Sequence, residues 1–372
     1  MNDKIKILYI MDHFYSPTGG TEGQIYNLIK CLDKEIFQAE LCIFREISSY
    51  FDNNPFPCKV FCINIESFYN PLAYLKLYQL RKYITLNSIN IVQVLLNDAS
   101  MSIPPLTIGL NTKVIITRRD MGFWYTPVKL ALLRFYQGFS ENYLVNSQAV
   151  KEKLIKAEKV HKDKIHVIYN SHDLERFNAQ ADPDFHEKYN IPKGSKIVGI
   201  VANFRPVKRV RDLIVAFAEA GEKLPDTYLV LIGHPGDHLD EYTELIKAAG
   251  IENIRLIGMV DNPVPYIKHF SVGVITSESE GLSNSLIEYM GCGIPVIATD
   301  IESNRELLGE RGANFLYPVG NTHVLAMMLI DLLNGNSGLN EVCSIYQKTI
   351  SEKFDIKTNI SMYEDFYREI NN

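Results

Sequence analysis

The sequence predicts an α/β protein built on two doubly wound parallel sheets. Three observations predict it. Short apolar runs of strand length alternate with helix-period segments along the whole chain, the pattern of βα units rather than of hairpins. The chain has 372 residues, too many for one typical core and enough for two domains of roughly 150–190 residues. The alternation also pauses in a polar stretch that holds Pro183 and Pro192, then restarts at Lys196.

The elements follow in order. Lys4 to Met11 is the first strand, and the glycine loop Ser16-Pro17-Thr18-Gly19-Gly20-Thr21 leads from it into a helix. On that helix Ile25, Leu28, Ile29 and Leu32 recur at the 3.6-residue period of a buried stripe. Further strands are expected over 39–44, 89–95, 113–117, 142–146 and 164–169. Residues 1–177 then form one domain and 178–195 a linker. The second domain, 196–350, opens with strand 196–202 and continues through strands at 228–232, 253–257, 272–276, 295–299 and 313–316. After a helix over 324–333, the tail carries Phe354, Ile356, Ile360, Tyr363, Phe366 and Tyr367 at helical spacing with no strand beyond. Residues 351–372 are therefore a terminal helix.

Composition narrows the class. Hydrophobic residues make up 46% and charged residues 22%, ordinary globular values. No run approaches the length of a membrane-spanning helix, and the first strand is followed by Asp12 and His13 rather than by a small-residue cleavage site. The six cysteines are scattered, and the close pair Cys58 and Cys62 has no second pair or histidine cluster to complete a zinc site. Free thiols in a reducing cytoplasm are expected. The net charge of −6 is unevenly distributed. Residues 1–180 hold 21 Lys and Arg against 17 Asp and Glu, a balance of +4, whereas 181–372 hold 17 against 27, or −10. A basic first half suits an acidic partner such as an anionic membrane surface, though mixed charges such as those of 151–164 also fit a solvated helix face. No nucleic-acid partner is expected, because no basic cluster is interleaved with aromatics.

The most informative stretch is Ser279-Glu280-Gly281-Leu282-Ser283-Asn284-Ser285-Leu286-Ile287-Glu288, between an expected strand and an expected helix. A loop ending at a helix N-terminus offers unpaired N–H groups and a positive dipole, a natural seat for phosphate. Carboxylates on either side of that seat can accept hydrogen bonds from sugar hydroxyls. Asn203-Phe204-Arg205-Pro206-Val207-Lys208-Arg209, after the strand at 196–202, adds fixed cations. Asp182-Pro183-Asp184 is a literal Asp-x-Asp, but it lies in the expected linker with a proline between the carboxylates, so no metal site is expected there.

With seven residues between Glu280 and Glu288, this stretch resembles the Glu-x7-Glu motif of family 4 retaining glycosyltransferases, the glycosyl transferases group 1 enzymes of the GT-B fold. The resemblance covers nearly the whole chain, from Lys4 to about Leu333, and is strongest from Lys196 to Asp300. It implies two Rossmann-like domains facing a cleft, an acceptor-side domain first and a nucleotide-sugar domain second, with the terminal helix crossing back to the first.

The family form of the basic loop is Gly-Arg-Leu-x-x-x-Lys, whose Arg would fall on Asn203. Here the Arg stands two positions later, as Arg205, and Lys208 is the firmer match. The resemblance assigns Lys208 and Arg205 to the donor diphosphate, Glu280 to the sugar hydroxyls and Glu288 to the ribose. It places Gly281, Leu282, Ser283 and Asn284 along the donor. Gly19 and Gly20 resemble the family's Gly-Gly loop. Gly233, and Gly258 with Met259 and Val260, resemble its later turns, the last three holding the base through main-chain groups. Arg119-Asp120 stands where many members carry a His-Asp pair, and with Trp124 it suggests a polar site with a stacking wall. Asp120 joins Glu280, Lys208 and Arg205 as a candidate for catalysis, and Arg119 as a candidate for donor binding. Ser171 and His172 depart from the family's Asn-Gly-Val-Asp.

The implied reaction moves a hexose-type sugar from a nucleoside-diphosphate sugar, UDP being the nucleotide expected, to a hydroxyl with retained anomeric configuration. No metal and no cofactor are expected. The expected acceptor is a lipid-linked glycan in surface polysaccharide biosynthesis, met at the inner face of the cytoplasmic membrane by peripheral association of the first domain. A small soluble acceptor is the alternative. A GT-B-type nucleotide-sugar epimerase and a non-catalytic nucleotide-sugar-binding protein are further alternatives. Arg119 in place of the histidine speaks against the first, and the intact Lys208, Glu280 and Glu288 speak against the second.

Overall fold

The computed structural model describes residues 4–17, 20–45, 51, 54–140, 142–234, 236, 239–335 and 339–372. The chain divides into two compact units, Met1–Ser171 with Ile356–Asn372, and His172–Asp355. Among the described residues no helix is long and apolar enough to cross a membrane.

Among the described residues the first unit holds seven strands: β1 (Ile5–Met11), β2 (Phe37–Ile43), β3 (Lys59–Cys62), β4 (Ile91–Val94), β5 (Lys113–Arg118), β6 (Asn142–Val145) and β7 (Ile165–Val167). They lie in the order β3-β2-β1-β4-β5-β6-β7, with every pair parallel. A parallel sheet covered on both faces needs apolar residues on both, and β1 (Ile-Lys-Ile-Leu-Tyr-Ile-Met) supplies them. Leu8 and Ile10 join Leu77, Leu80 and Ile103 on one face, while Ile7, Tyr9 and Met11 join Ile25, Leu28 and Ile29 on the other. β3 was not foreseen: it is a four-residue edge strand, too short to show a period.

The terminal helix, Ile356–Asn371, completes this second face with Ile360, Tyr363, Phe366 and Tyr367. The Tyr367 hydroxyl meets the Tyr9 hydroxyl at 3.0 Å and donates to Gln93 Oε1 at 2.6 Å, so two buried polar groups of the sheet depend on that helix. The expected tail is thus two helices. Leu339–Lys353 belongs to the second unit and Ile356–Asn371 to the first, with a break at Phe354-Asp355, where Phe354 accepts the His172 N–H at 2.8 Å.

The second unit holds β8 (Lys196–Val201), β9 (Thr227–Ile232), β10 (Ile254–Gly258), β11 (Val272–Ile275), β12 (Val296–Thr299) and β13 (Leu316–Tyr317). All pairs are parallel, in the order β10-β9-β8-β11-β12-β13. Chain order reverses direction between β8 and β11, which makes that junction the switch point of the sheet. Two expectations are corrected. The strand foreseen over 313–316 is a 3₁₀ turn, Glu310–Phe315, followed by the two-residue β13. Residues 178–195 are not a free linker but part of the second unit. Phe185 there is fully buried and stacks on His269 with ring centroids 4.2 Å apart.

Candidate functional site

Open parallel sheets bind ligands beyond the carboxyl ends of their strands, at the switch point. In the second unit that point lies between the loops leaving β8 and β11. The loops are tied together: the Glu278 N–H donates to Val207 O at 3.0 Å, and Thr276 Oγ1 donates to Lys208 O at 2.5 Å. The tie presents Lys208 to Glu280, and the two side chains form an ion pair. Ser277 Oγ donates to the same carboxylate oxygen at 2.7 Å. Lys208 and Glu280 are 19% and 13% exposed, so their attraction is less screened than that of a surface pair.

Arg205 stands at the start of the 3₁₀ turn Pro206–Lys208, exposed and, among the described residues, without an ion-pair partner. Its neighbour Arg209 is committed. It adopts a left-handed backbone and pairs with Asp212 at 2.7 Å and Glu278 at 3.4 Å.

The helix Asn284–Gly291 begins beside this pair. Ser283 caps it by accepting the Leu286 N–H at 3.4 Å, and Gly281 and Leu282 are buried just before the cap. Ser285 Oγ donates to Val201 O at 2.6 Å, and the Tyr289 hydroxyl accepts the Val201 N–H at 2.7 Å. A helix N-terminus, with its partial positive charge, is thereby fixed at the carboxyl end of β8.

Glycines close the strand ends. Gly233 has φ +143°, and a Cβ there would fall 1.7 Å from Ala202 O, so only glycine fits between the ends of β8 and β9. Its N–H donates to Gly258 O at 2.9 Å, and the Phe204 N–H donates to His234 O at 3.0 Å. Asn203 and Met259 are exposed and Val260 half-buried at this edge. The expected donor residues of the second unit therefore gather at the carboxyl end of one sheet, with Glu288 in the helix behind.

Glu288 has a partner that the sequence did not reveal. It is 7% exposed and pairs with Arg176 Nη2 at 2.9 Å. Burial raises its carboxyl pKa, and Arg176 pulls it back. Arg176 also reaches Asn262 Oδ1 at 3.4 Å. With the partners 112 positions apart in the chain, no local pattern could have found the pair.

The first unit treats its expected residues differently. Gly20 is the exposed first residue of the helix Gly20–Cys31, and Gly19 lies outside the described residues. Arg119 donates to Asn170 Oδ1 and interacts with Tyr363 of the terminal helix, and burial lowers its pKa. Asp120 accepts the Gly122 N–H at 2.6 Å, and burial raises its carboxyl. Trp124 is not an open stacking wall. It is 8% exposed, with the Arg118 guanidinium and the Lys129 ammonium each 5.5 Å from a ring centroid. Arg118 is buried and pairs with buried Glu158 at 2.8 Å. In the Asp-x-Asp pair, the first carboxylate is turned onto the backbone of the second residue. Asp182 accepts the Asp184 N–H at 3.1 Å, and its carbonyl meets His269 Nε2 at 2.9 Å.

Two family models match the chain. "Glycosyl transferases group 1" matches residues 181–349 and "Glycosyltransferase Family 4" residues 18–176, so the two together span most of it. The chain belongs to the family 4, group 1 glycosyltransferases. N-acetyl-alpha-D-glucosaminyl L-malate synthase of Bacillus anthracis is 28% identical over 207 residues, 55% of this chain and 54% of the relative. An N-acetylgalactosamine-N,N'-diacetylbacillosaminyl-diphospho-undecaprenol 4-alpha-N-acetylgalactosaminyltransferase of Campylobacter jejuni is 30% identical over 214 residues, 57% of this chain and 56% of the relative. The chain thus matches about half the length of these two. It matches 78% of an uncharacterized glycosyltransferase of Methanocaldococcus jannaschii, MJ1059, at 25% identity over 331 residues, 83% of this chain.

Solved structures share the fold over the full length. A glycosyltransferase from Rickettsia africae superposes with a TM-score of 0.85 at 20% identity, covering 99% of both chains. Anabaena HepE in complex with UDP superposes at 0.83 and 19% identity, covering 98% of this chain and 100% of that one. The architecture is the GT-B glycosyltransferase fold.

Proposed function

We propose that this family 4 glycosyltransferase moves a hexose-type sugar from a UDP-sugar to a hydroxyl with retention of anomeric configuration. The observation that carries the proposal is the Lys208–Glu280 pair beside exposed Arg205 at the β8/β11 switch point. The bond between the anomeric carbon and the β-phosphate oxygen breaks as the acceptor oxygen bonds to that carbon on the same face. The acceptor proton passes to the departing phosphate oxygen, so no protein nucleophile is needed. Negative charge grows on that phosphate, and cations already aimed there stabilise the transition state more than the ground state. A diphosphate can replace Glu280 as the partner of Lys208, which leaves the carboxylate for the sugar hydroxyls. Arg119 and Asp120 are left out of the chemistry, because both are engaged inside the first unit.

HepE was captured with UDP, which supports that nucleotide for the donor. The diphospho-undecaprenol in the name of the Campylobacter relative supports a lipid-linked glycan acceptor at the inner face of a membrane. The malate in the name of the Bacillus relative favours a second reading, a small soluble acceptor. A thermal-shift screen against UDP-, GDP-, ADP- and dTDP-sugars tests the donor, since a ligand at 100 times its Kd adds about 2.7 kcal/mol of stability. Stabilisation by another nucleotide and not by UDP would overturn the donor assignment.

We propose that the reaction runs without a metal, with Lys208, Arg205 and the helix N-terminus at 284 taking the diphosphate charge. After dialysis, turnover in excess EDTA is expected to match the untreated enzyme. Loss of turnover that Mn²⁺ or Mg²⁺ restores would contradict this.

The two glutamates are expected to divide their work. Glu288→Gln should weaken the free nucleoside diphosphate and the intact donor alike, through the ribose. Glu280→Gln should spare the nucleotide and lower turnover. A hydrogen bond to a charged group is worth roughly 1.5–3 kcal/mol, so each effect should be about ten- to a hundredfold. Titrating both variants with nucleotide and donor decides it, and equal weakening of nucleotide binding would reject the division.

A further inference from the structure

We propose that the helix Pro127–Tyr136 and the lysine-lined hollow at its carboxyl end form a seat on an anionic membrane surface. Val128, Leu132, Phe135 and Phe139 recur at spacings of four, three and four, which places them on one face of the helix and its closing turn. That face is turned to solvent. Val128 is 70% and Phe135 66% exposed, and the rings of Phe135 and Phe139 touch edge to face with centroids 5.4 Å apart. Leu133, on another face, is the buried anchor of the helix. An apolar stripe this continuous is unusual on a solvated helix and marks an interaction surface.

A second, independent observation says what covers it. Immediately after the helix, Gln137 and Gly138 form one wall of an open hollow of about 590 Å³ whose other wall carries Lys159, Lys162 and Lys164. The hollow is held in place: Lys164 Nζ lies 3.4 Å from both Gln137 O and Ser140 O, and the Arg134 guanidinium donates to Ala157 O at 2.8 and 3.0 Å. Lys159 ends the π turn Leu154–Glu158 with φ +65°, a left-handed backbone that costs a lysine but not a glycine. The acidic groups nearby are partly engaged, Glu152 with Lys156 at 3.9 Å and Asp163 with His161 at 3.3 Å. At the other end of the stripe Lys129 lies over the Trp124 ring.

Apolar side chains bordered by ammonium groups fit a bilayer interface. The rings and aliphatic chains enter the boundary between headgroups and acyl chains, and the lysines meet lipid phosphates. The proposal deepens the reading of a lipid-linked acceptor, and rests on it for what the surface presents. The lysines at the hollow give the phosphates a place beside the stripe, which a second protein copy would have no reason to fill with anions.

Flotation of the purified protein with phosphatidylcholine vesicles, with and without phosphatidylglycerol, tests the proposal at low and high salt. Wild type is expected to float with the anionic vesicles at low salt. Lys159→Ala/Lys162→Ala should weaken that binding about thirtyfold and remove most of its salt sensitivity. Phe135→Ser/Phe139→Ser should weaken it at least about tenfold at either salt. All the altered side chains are on the surface, and circular dichroism checks that each variant folds.

No flotation of wild type at low salt, or flotation unchanged in both variants, would overturn the seat. So would light scattering that shows a dimer of wild type dissolved by the phenylalanine changes. The nucleotide thermal shift is read on the same samples. Intact nucleotide binding without flotation rejects the seat alone, and flotation without nucleotide binding rejects the transferase reading alone.

Discussion

Lys208→Ala is expected to lower kcat by about a hundred- to a thousandfold while leaving the Kd for free UDP within about threefold. The size is that of a fixed electrostatic donor removed from a transition state, about 2.7–4 kcal/mol. The asymmetry follows from where the charge grows: the β-phosphate carries most of its new charge only as the glycosidic bond breaks, so the ammonium matters most then. The pairing with Glu280 strengthens the expectation. Once the lysine is gone, Glu280 keeps Ser277 as its one hydrogen-bond partner among the described residues, and an uncompensated carboxylate at the seat opposes the negative charge that grows there in the transition state. Lys208→Ala/Glu280→Gln should therefore lose less than the two single losses added together. Steady-state kinetics on the donor and UDP titration measure all of this. Equal losses in kcat and in UDP affinity would show that Lys208 only binds.

Glu158→Ala is expected to destabilise the first unit by about 3–5 kcal/mol, the usual result of breaking a buried pair from one side. Arg118 and Glu158 are 2% and 1% exposed, and the guanidinium also reaches Ser100 Oγ at 2.7 Å. Tyr125 donates to the same carboxylate. Removing it strands a buried cation and a half-buried hydroxyl at once. Arg118→Met/Glu158→Leu should recover much of the loss, because both charges leave together. Urea denaturation of the variants checks it. A loss below about 1 kcal/mol for Glu158→Ala would mean that water reaches Arg118 and that the pair is not sealed.

The pair also explains what sequence reading could and could not reach. Most strands of both sheets, β3 and β13 excepted, were legible because parallel strands covered on both faces are continuous apolar runs, as β1, β8 and β9 are. The residues of the candidate site in the second unit were legible because they lie on two loops with strong local signals: a basic turn after one strand, an acidic one after another. What failed were contacts made at a distance. Arg118 and Arg119 are adjacent in sequence, but Arg118 ends β5 and pairs with Glu158, whereas Arg119, just past the strand, reaches Asn170. Trp124 fills the space against Arg118 rather than facing a sugar. Residues 178–195 are polar enough to pass for a linker because few side chains, Phe185 and Ile191 foremost, anchor them in the core. Glu288 and Arg176 meet only when the fold brings them together.

The helix Ile356–Asn371 belongs to the first unit yet is encoded after the whole of the second. During translation, residues 172–355 emerge before that helix, while the face of Ile7, Tyr9 and Met11 waits covered by Ile25, Leu28 and Ile29 but not by the terminal helix. The unit made first is finished last. A ribosome that stalls within those sixteen codons would release a sound second half attached to a first half with an open apolar face. Chaperones and proteases would be expected to recognise that face, so the cell would judge each copy by its first half, however well the second had folded.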